Sequence, residues 1–257
     1  MLDLPASVDA RSWMARWDQQ QEIYLPFRER RFRAMFDWLE ATLPARFLAI
    51  DLACGPGSLT ERMLTRFPEA RSVLVDFDPV LMAIGRKALE PLAARTRWVE
   101  ADLREPDWAS RLPRAPADAV LSTTALHWFP AERLARVYEG VAAHLRPGGL
   151  FLNGDHMAFG PDQSTLSATA HRIAAAAQET AQARPGAEDW DRWWARIRAQ
   201  AALAPWVAER DRRFPKEHGA EPKLTVEEHV TLLRAAGFAE VAVVWQEGEN
   251  RVLAALR

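Results

Sequence analysis

FLAIDLACGPGSL, residues 47–59, is a short apolar run that ends in a carboxylate, turns through two glycines and opens a helix. Two later segments repeat its first half. RSVLVDFDPV at 71–80 brings Asp76, and RWVEADL at 97–103 brings Asp102, each just past a short apolar run. If these runs are adjacent parallel strands, Asp51, Asp76 and Asp102 collect at one sheet edge, where open α/β sheets bind ligands. A carboxylate beside the glycine loop would repel a phosphate and welcome a cation, so the pattern describes a nucleoside that carries positive charge.

Outward from this stretch, strand and helix signals alternate. Before it, 12–43 reads as helix, interrupted at Pro26, with Phe32, Met35, Phe36 and Leu39 on one apolar face and Pro44 as the stop. After it come a helix at 58–66, a strand at 72–75 and a helix from Pro79 to about Leu92. A strand at 96–99, a short helix near Trp108 and a strand at 119–122 follow. A helix opened by Pro130 carries Leu134, Val137, Val141 and Leu145 in one stripe and is expected to end at Pro147-Gly148-Gly149, before a strand at 150–153. Such alternation predicts a doubly wound, mostly parallel sheet with helices on both faces.

From Gly160 to about Lys223 the strand signal vanishes. Two helical stretches, 167–183 and 188–204, flank Arg184-Pro185-Gly186. Thr225 and Glu228 then form a capping box for a helix closed by Gly237, and 241–245 with 251–255 reads as an antiparallel hairpin. One domain is expected over 1–257, with a helical lid at 1–45, a ligand-binding core at 46–159, a helical cap at 160–223 and a completing helix and hairpin at 224–257.

Composition narrows the class. The chain has 257 residues, 49% of them hydrophobic and 26% charged, as in a soluble globular protein. A formal charge of −2 predicts no affinity for nucleic acid or an anionic membrane. Cys54 stands alone, which rules out an intramolecular disulfide and a cysteine-based zinc cage; no metal is expected. No secretion signal or bilayer-length apolar run is present, so a cytoplasmic protein is expected. Tryptophan is unusual, at 11 residues against 2 tyrosines, clustered in Trp13/Trp17 and in Trp190/Trp193/Trp194/Trp206, outside the predicted sheet.

The glycine loop has rivals. A dinucleotide fingerprint wants a third glycine where Thr60 stands, and a loop free of carboxylate. A lysine-bearing phosphate loop is absent. S-adenosylmethionine (SAM), a nucleoside with a sulfonium, fits the charge pattern. DLACGPGSL resembles the first motif of class I SAM-dependent methyltransferases; VDFDP, EADL, ALHWFP and LRPGGLFL resemble the family's later segments, together covering about 47–153. The resemblance is to the small-molecule group that includes quinone-biosynthesis and trans-aconitate enzymes. It implies a Rossmann-like seven-stranded sheet with an antiparallel C-terminal hairpin.

It also implies roles. Ala53, Cys54, Gly55 and Gly57 would pass under the methionine part of SAM, and Asp51 would help hold its ammonium. Asp76 would take the ribose hydroxyls, while Asp102, with the Leu103 backbone and Phe77, would frame the adenine. Thr123 and Thr124 would lie under the sulfonium, and Trp17 and Tyr24 would close over the cofactor. Cys54 is read as a packing residue and Asp78 as a helix N-cap.

The acceptor is expected above strands four and five. Candidate bases are His127, Asp155, His156 and His218, with His127 and His156 kept as the catalytic candidates, although a wall-forming or packing role is the favoured reading of His127. Trp128, Trp190, Trp193 and Trp194 are expected to line the acceptor pocket, or else to glue the cap to the core. The expected reaction is methyl transfer to a small molecule, leaving S-adenosylhomocysteine, by a monomer or homodimer. Two alternatives stand beside it: non-methylating chemistry on the same cofactor, and a non-catalytic SAM-binding partner protein. A nucleic-acid acceptor is disfavoured because strand four leads into Thr123-Thr124-Ala125-Leu126 with no basic flank.

Overall fold

The computed structural model describes residues 4–214 and 223–257. The strands are β1 (Leu48–Leu52), β2 (Arg71–Asp76), β3 (Thr96–Glu100), β4 (Ala117–Thr123), β5 (Leu145–His156), β6 (Glu240–Glu247) and β7 (Asn250–Leu256). They form one seven-stranded sheet in the order β3-β2-β1-β4-β5-β7-β6. Pairing is parallel from β3 through β5 and antiparallel at β7. The order reverses between β1 and β4, the switch point at which open α/β sheets open a crevice.

Period-two alternation sorts the strand residues between two faces. Ile50, Leu52, Val73, Val75, Val120, Phe151 and Leu253 join a core with α5 (Ala131–His144) and α9 (Val226–Ala235). Ala49, Ala119, Leu121, Leu150, Leu152 and Val252 face α2 (Arg28–Thr42) and α3 (Ser58–Arg66). A third apolar cluster joins α1 (Ala10–Tyr24) and α4 (Pro79–Ala88) to the inserted helices α7 (Trp190–Arg198) and α8 (Ala204–Arg213). The longest inserted helix, α6 (Ser164–Gln182), buries only Ala181.

The capping box of Thr225 and Glu228 forms as expected, and Gly237 ends α9 at φ +97°. Three expectations need correction. The helix from Pro79 stops at Ala88 and continues as a 3-10 turn over Glu90–Arg95, because Pro91 lacks the N–H that a further α-turn needs. Pro147-Gly148-Gly149 does not separate a helix from a strand: β5 already begins at Leu145, and the triplet is a register shift within it opposite Ala117–Ala119. The stretch 188–204 is not one helix. It breaks after Arg198, and Pro205 occupies the first turn of α8.

Candidate active site

The C-terminal ends of β1, β2 and β3 bring the three motif acids to one edge. Asp51 is fully buried; its Oδ2 accepts from Thr60 Oγ1 at 2.7 Å, and its Oδ1 has no hydrogen-bond partner among the described residues. Burial pushes this carboxyl up to about 7. Asp76 clasps the glycine loop to β2: Oδ2 accepts from the Gly55 N–H at 2.6 Å, and Oδ1 accepts from Phe77 and Asp78 N–H at 2.7 and 2.8 Å. Burial raises it to about 6, although these amides favour the ionised form. Asp102 accepts from Arg104 through both oxygens, and Leu103 beside it is buried. Asp78 caps α4 by accepting from Val80 and Leu81 N–H.

Backbone conformation shapes the loop. Gly57 sits at φ +85°, and a Cβ there would stand 2.8 Å from Leu74 and Leu89, so only glycine fits. Ala53 and Thr124 hold left-handed backbone, φ +52° and +55°, just past the paired strands β1 and β4. Strain of this kind in non-glycine residues gathers where a site demands it. Burial raises the Cys54 thiol well above its ordinary range, which keeps it protonated.

The tryptophans interlock. Trp17 lies 5.1 Å from Trp193 and 5.5 Å from Trp190, Trp13 lies 5.8 Å from Trp193, and Trp193 lies 4.9 Å from Trp194. Trp193 is fully buried in this cluster together with Cys54 and Leu81, so the inserted helices are joined to α1 directly over the glycine loop. Trp17 stands 3.8 Å from the place a Cβ on Gly55 would occupy. Tyr24 is set apart: its hydroxyl accepts from the Trp190 N–H and its carbonyl from the Gln178 side chain, bracing the inserted helices. Trp128 is exposed beside His127, 4.8 Å from ring to ring.

The ends of β4 and β5 hold a second polar group. Asp155, fully buried, accepts from His127 Nδ1 at 2.6 Å, from the His127 N–H at 3.0 Å and from the His156 N–H at 2.9 Å. Burial would raise Asp155, but His127 and then Arg31 outweigh it and hold the carboxyl well below the usual range. An ionised carboxylate only accepts, so His127 carries a hydrogen on Nδ1. His156 lies 5.8 Å from His127, and burial pushes its imidazole down to about 4, which leaves it neutral. His218 lies outside the described residues.

Sequence reasoning missed Arg31. It sits on the apolar face of α2, wholly buried, and passes over Gly154, where a Cβ would meet its Cδ at 2.8 Å. Its guanidinium donates to Asn250 Oδ1 at 2.9 Å, to Thr123 Oγ1 at 2.7 Å and to Thr124 Oγ1. A charged residue within the Phe32–Met35–Phe36–Leu39 stripe was the available signal. Because guanidinium has no acceptor, both threonine oxygens must accept from it, which turns their O–H groups toward other partners.

Comparison with known proteins gives this geometry a family. Residues 49–149 match the model of a methyltransferase domain. A trans-aconitate 2-methyltransferase of Azoarcus sp. is 37% identical over 138 residues, 53% of this chain and 49% of the relative. One of Mycobacterium marinum is 36% identical over 118 residues, 44% and 39% of the two chains. The matched stretch thus spans at most about half the length of these relatives. Among solved structures, an O-methyltransferase family protein from Burkholderia thailandensis superposes with a TM-score of 0.57 at 20% identity, covering 97% of this chain and 60% of that one. Human N-acetylserotonin methyltransferase, in complex with SAM, does so at 0.56 and 15%, covering 99% and 60%. At these identities the structures speak for the fold. The three motif acids and the glycine loop all lie inside the stretch that matches the methyltransferase domain, so residues 49–149 are similar to the class I SAM-dependent methyltransferases.

Proposed function

We propose that the protein transfers the methyl group of SAM to a hydroxyl-bearing small molecule, with His127 as the base. The observation that carries this reading is the His127 Nδ1–Asp155 contact of 2.6 Å at the ends of β4 and β5, beside Thr123 and Thr124. Asp155 fixes the tautomer and stabilises the imidazolium that forms when Nε2 takes the acceptor's proton. The cluster of α1 and the inserted helices would exclude water above the glycine loop. SAM, when bound, supplies a methyl group on a sulfonium for direct displacement. The residues present fit it: the buried Asp51 Oδ1, without a hydrogen-bond partner among the described residues, suits an ammonium, the glycine loop suits close backbone approach, and Asp76 and Asp102 offer carboxylates for the ribose hydroxyls and the adenine amino group.

The inserted helices lie outside the matched 49–149, so the acceptor is not carried over from the relatives. Their name supports a second reading, trans-aconitate, for which the buried Arg31 cation beside Thr123 and Thr124 offers a favourable field. A carboxylate acceptor has no proton for His127 to take. The direct test is release of S-adenosylhomocysteine from SAM with hydroxyl and carboxylate acceptors in parallel. Consumption of SAM without that product would favour non-methylating chemistry, and binding without turnover would favour a partner protein.

Two measurements test the cofactor edge. Asp76→Ala should weaken SAM binding by at least about tenfold, the strength of a charged hydrogen bond. Unchanged affinity in calorimetry would contradict the ribose assignment. SAM affinity should also depend on pH. Asp51 and Asp76 keep their protons up to about 7 and about 6, far above an unfolded carboxyl. Below pH 7 the cation loses its counter-charge, and affinity should fall by about tenfold per unit, more steeply beneath 6 where Asp76 joins. Stability of the ligand-free protein moves the other way: these raised carboxyls contribute most near pH 4, and the contribution is lost as pH rises toward 7. A flat affinity profile between pH 8 and 5 would remove both carboxylates from the cofactor.

A further inference from the structure

Arg104 makes, within the chain, the contacts that an adenine would need. Its backbone N–H donates to Asp102 Oδ1 at 2.9 Å; its Nε reaches Oδ1 at 2.8 Å and Oδ2 at 2.9 Å; its Nη2 donates to Oδ2 at 2.7 Å. Three N–H groups of Arg104 thus engage the two oxygens, the single Nε hydrogen being shared between them. The same guanidinium lies over the Phe77 ring, 5.1 Å from its centre, and 5.5 Å from that of Phe214. A planar group with N–H donors aimed at one carboxylate and a face laid on one aromatic ring presents the pattern of an aminopurine edge and face.

The neighbourhood leaves room beside these residues. A cleft of about 410 Å³ opens there, lined by Phe77, Ala101, Asp102 and Arg213 among others. The end of α8 closes over it: Arg213 donates to the Phe77 carbonyl at 2.9 Å and pairs with Glu100 at 2.8 Å, and Phe214 meets Phe77 at 5.5 Å. Arg104 itself is a third exposed, on a loop, and can swing out to water.

We propose that Arg104 is an internal competitor for the adenine subsite, holding Asp102 and Phe77 until the nucleoside displaces it. The proposal rests on reading this crevice as an adenosyl pocket. Its sign distinguishes it from an ordinary binding residue: removing Arg104 should strengthen binding. The contact to be displaced is a partly exposed ion pair with a cation–π component, so Arg104→Ala should bind S-adenosylhomocysteine about three- to tenfold more tightly. Adenosine, which has the purine without the amino acid, should gain by the same factor. In an Asp102→Ala background the gain should shrink, since Arg104 would then hold less of the subsite.

Calorimetry on the four proteins of this cycle reads all three outcomes. Equal or weaker binding of both compounds by Arg104→Ala, with the parent binding normally, overturns the competitor and leaves the adenosyl reading intact. A parent protein that binds neither compound overturns the adenosyl reading and the competitor with it.

Discussion

Replacing His127 by alanine should lower the methyl-transfer rate to a hydroxyl acceptor by about 10²- to 10⁴-fold, the usual contribution of a positioned general base. Affinity for SAM should stay within about twofold, because His127 stands at the ends of β4 and β5, away from the carboxylates and glycine loop that would hold the cofactor. The loss should shrink as the acceptor's own hydroxyl is made more acidic, since an acceptor that ionises unaided needs no base. Asp155→Asn should share the rate loss, because an amide fixes neither the tautomer nor the charge of the ring. Single-turnover rates across a series of hydroxyl acceptors of graded acidity would decide the matter. A His127→Ala enzyme of undiminished rate would sink the base assignment and leave the carboxylate reading.

Arg31→Met should cost about 1–3 kcal/mol of folding stability, as leaving buried polar groups without their partner does. The methionine fills much of the same space, so the loss would come from the polar groups left behind. Thr123, Thr124 and Asn250 would each lose a donor, and the ionised Asp155 would lose a compensating charge. Arg31→Lys should recover only part, because an ammonium cannot span the positions that the forked guanidinium reaches. Denaturant unfolding checks this. A loss below about 1 kcal/mol would mean that water satisfies these groups and that Arg31 is dispensable to the fold.

The contrast between these two sites shows what local sequence carries. The glycine loop and the three acids each stand next to the apolar run that positions them, so spacing along the chain already gives their place in space. The capping box of α9 and the terminal hairpin were legible for the same reason. Arg31 works through residues 92, 93 and 219 positions away, and no periodicity announces partners that distant. His127 and Asp155, 28 residues apart, were each visible as candidates, but their pairing required the parallel register that sets Thr123 against Gly154. Pro147-Gly148-Gly149 misled because the triplet has turn composition, whereas strand pairing on both sides carries the backbone through it. The break before α8 was hidden by good helix formers on either side of Gln200, and with it the part of the insertion that reaches Phe77 and Asp78.

Because Trp13 and Trp17 of α1 are wedged among Trp190, Trp193 and Trp194 of α7, the start of the chain and a segment more than 160 residues later cannot swing independently. If the crevice beneath them holds the proposed cofactor, the two segments would have to lift together as one stiff plate before a spent nucleoside could leave.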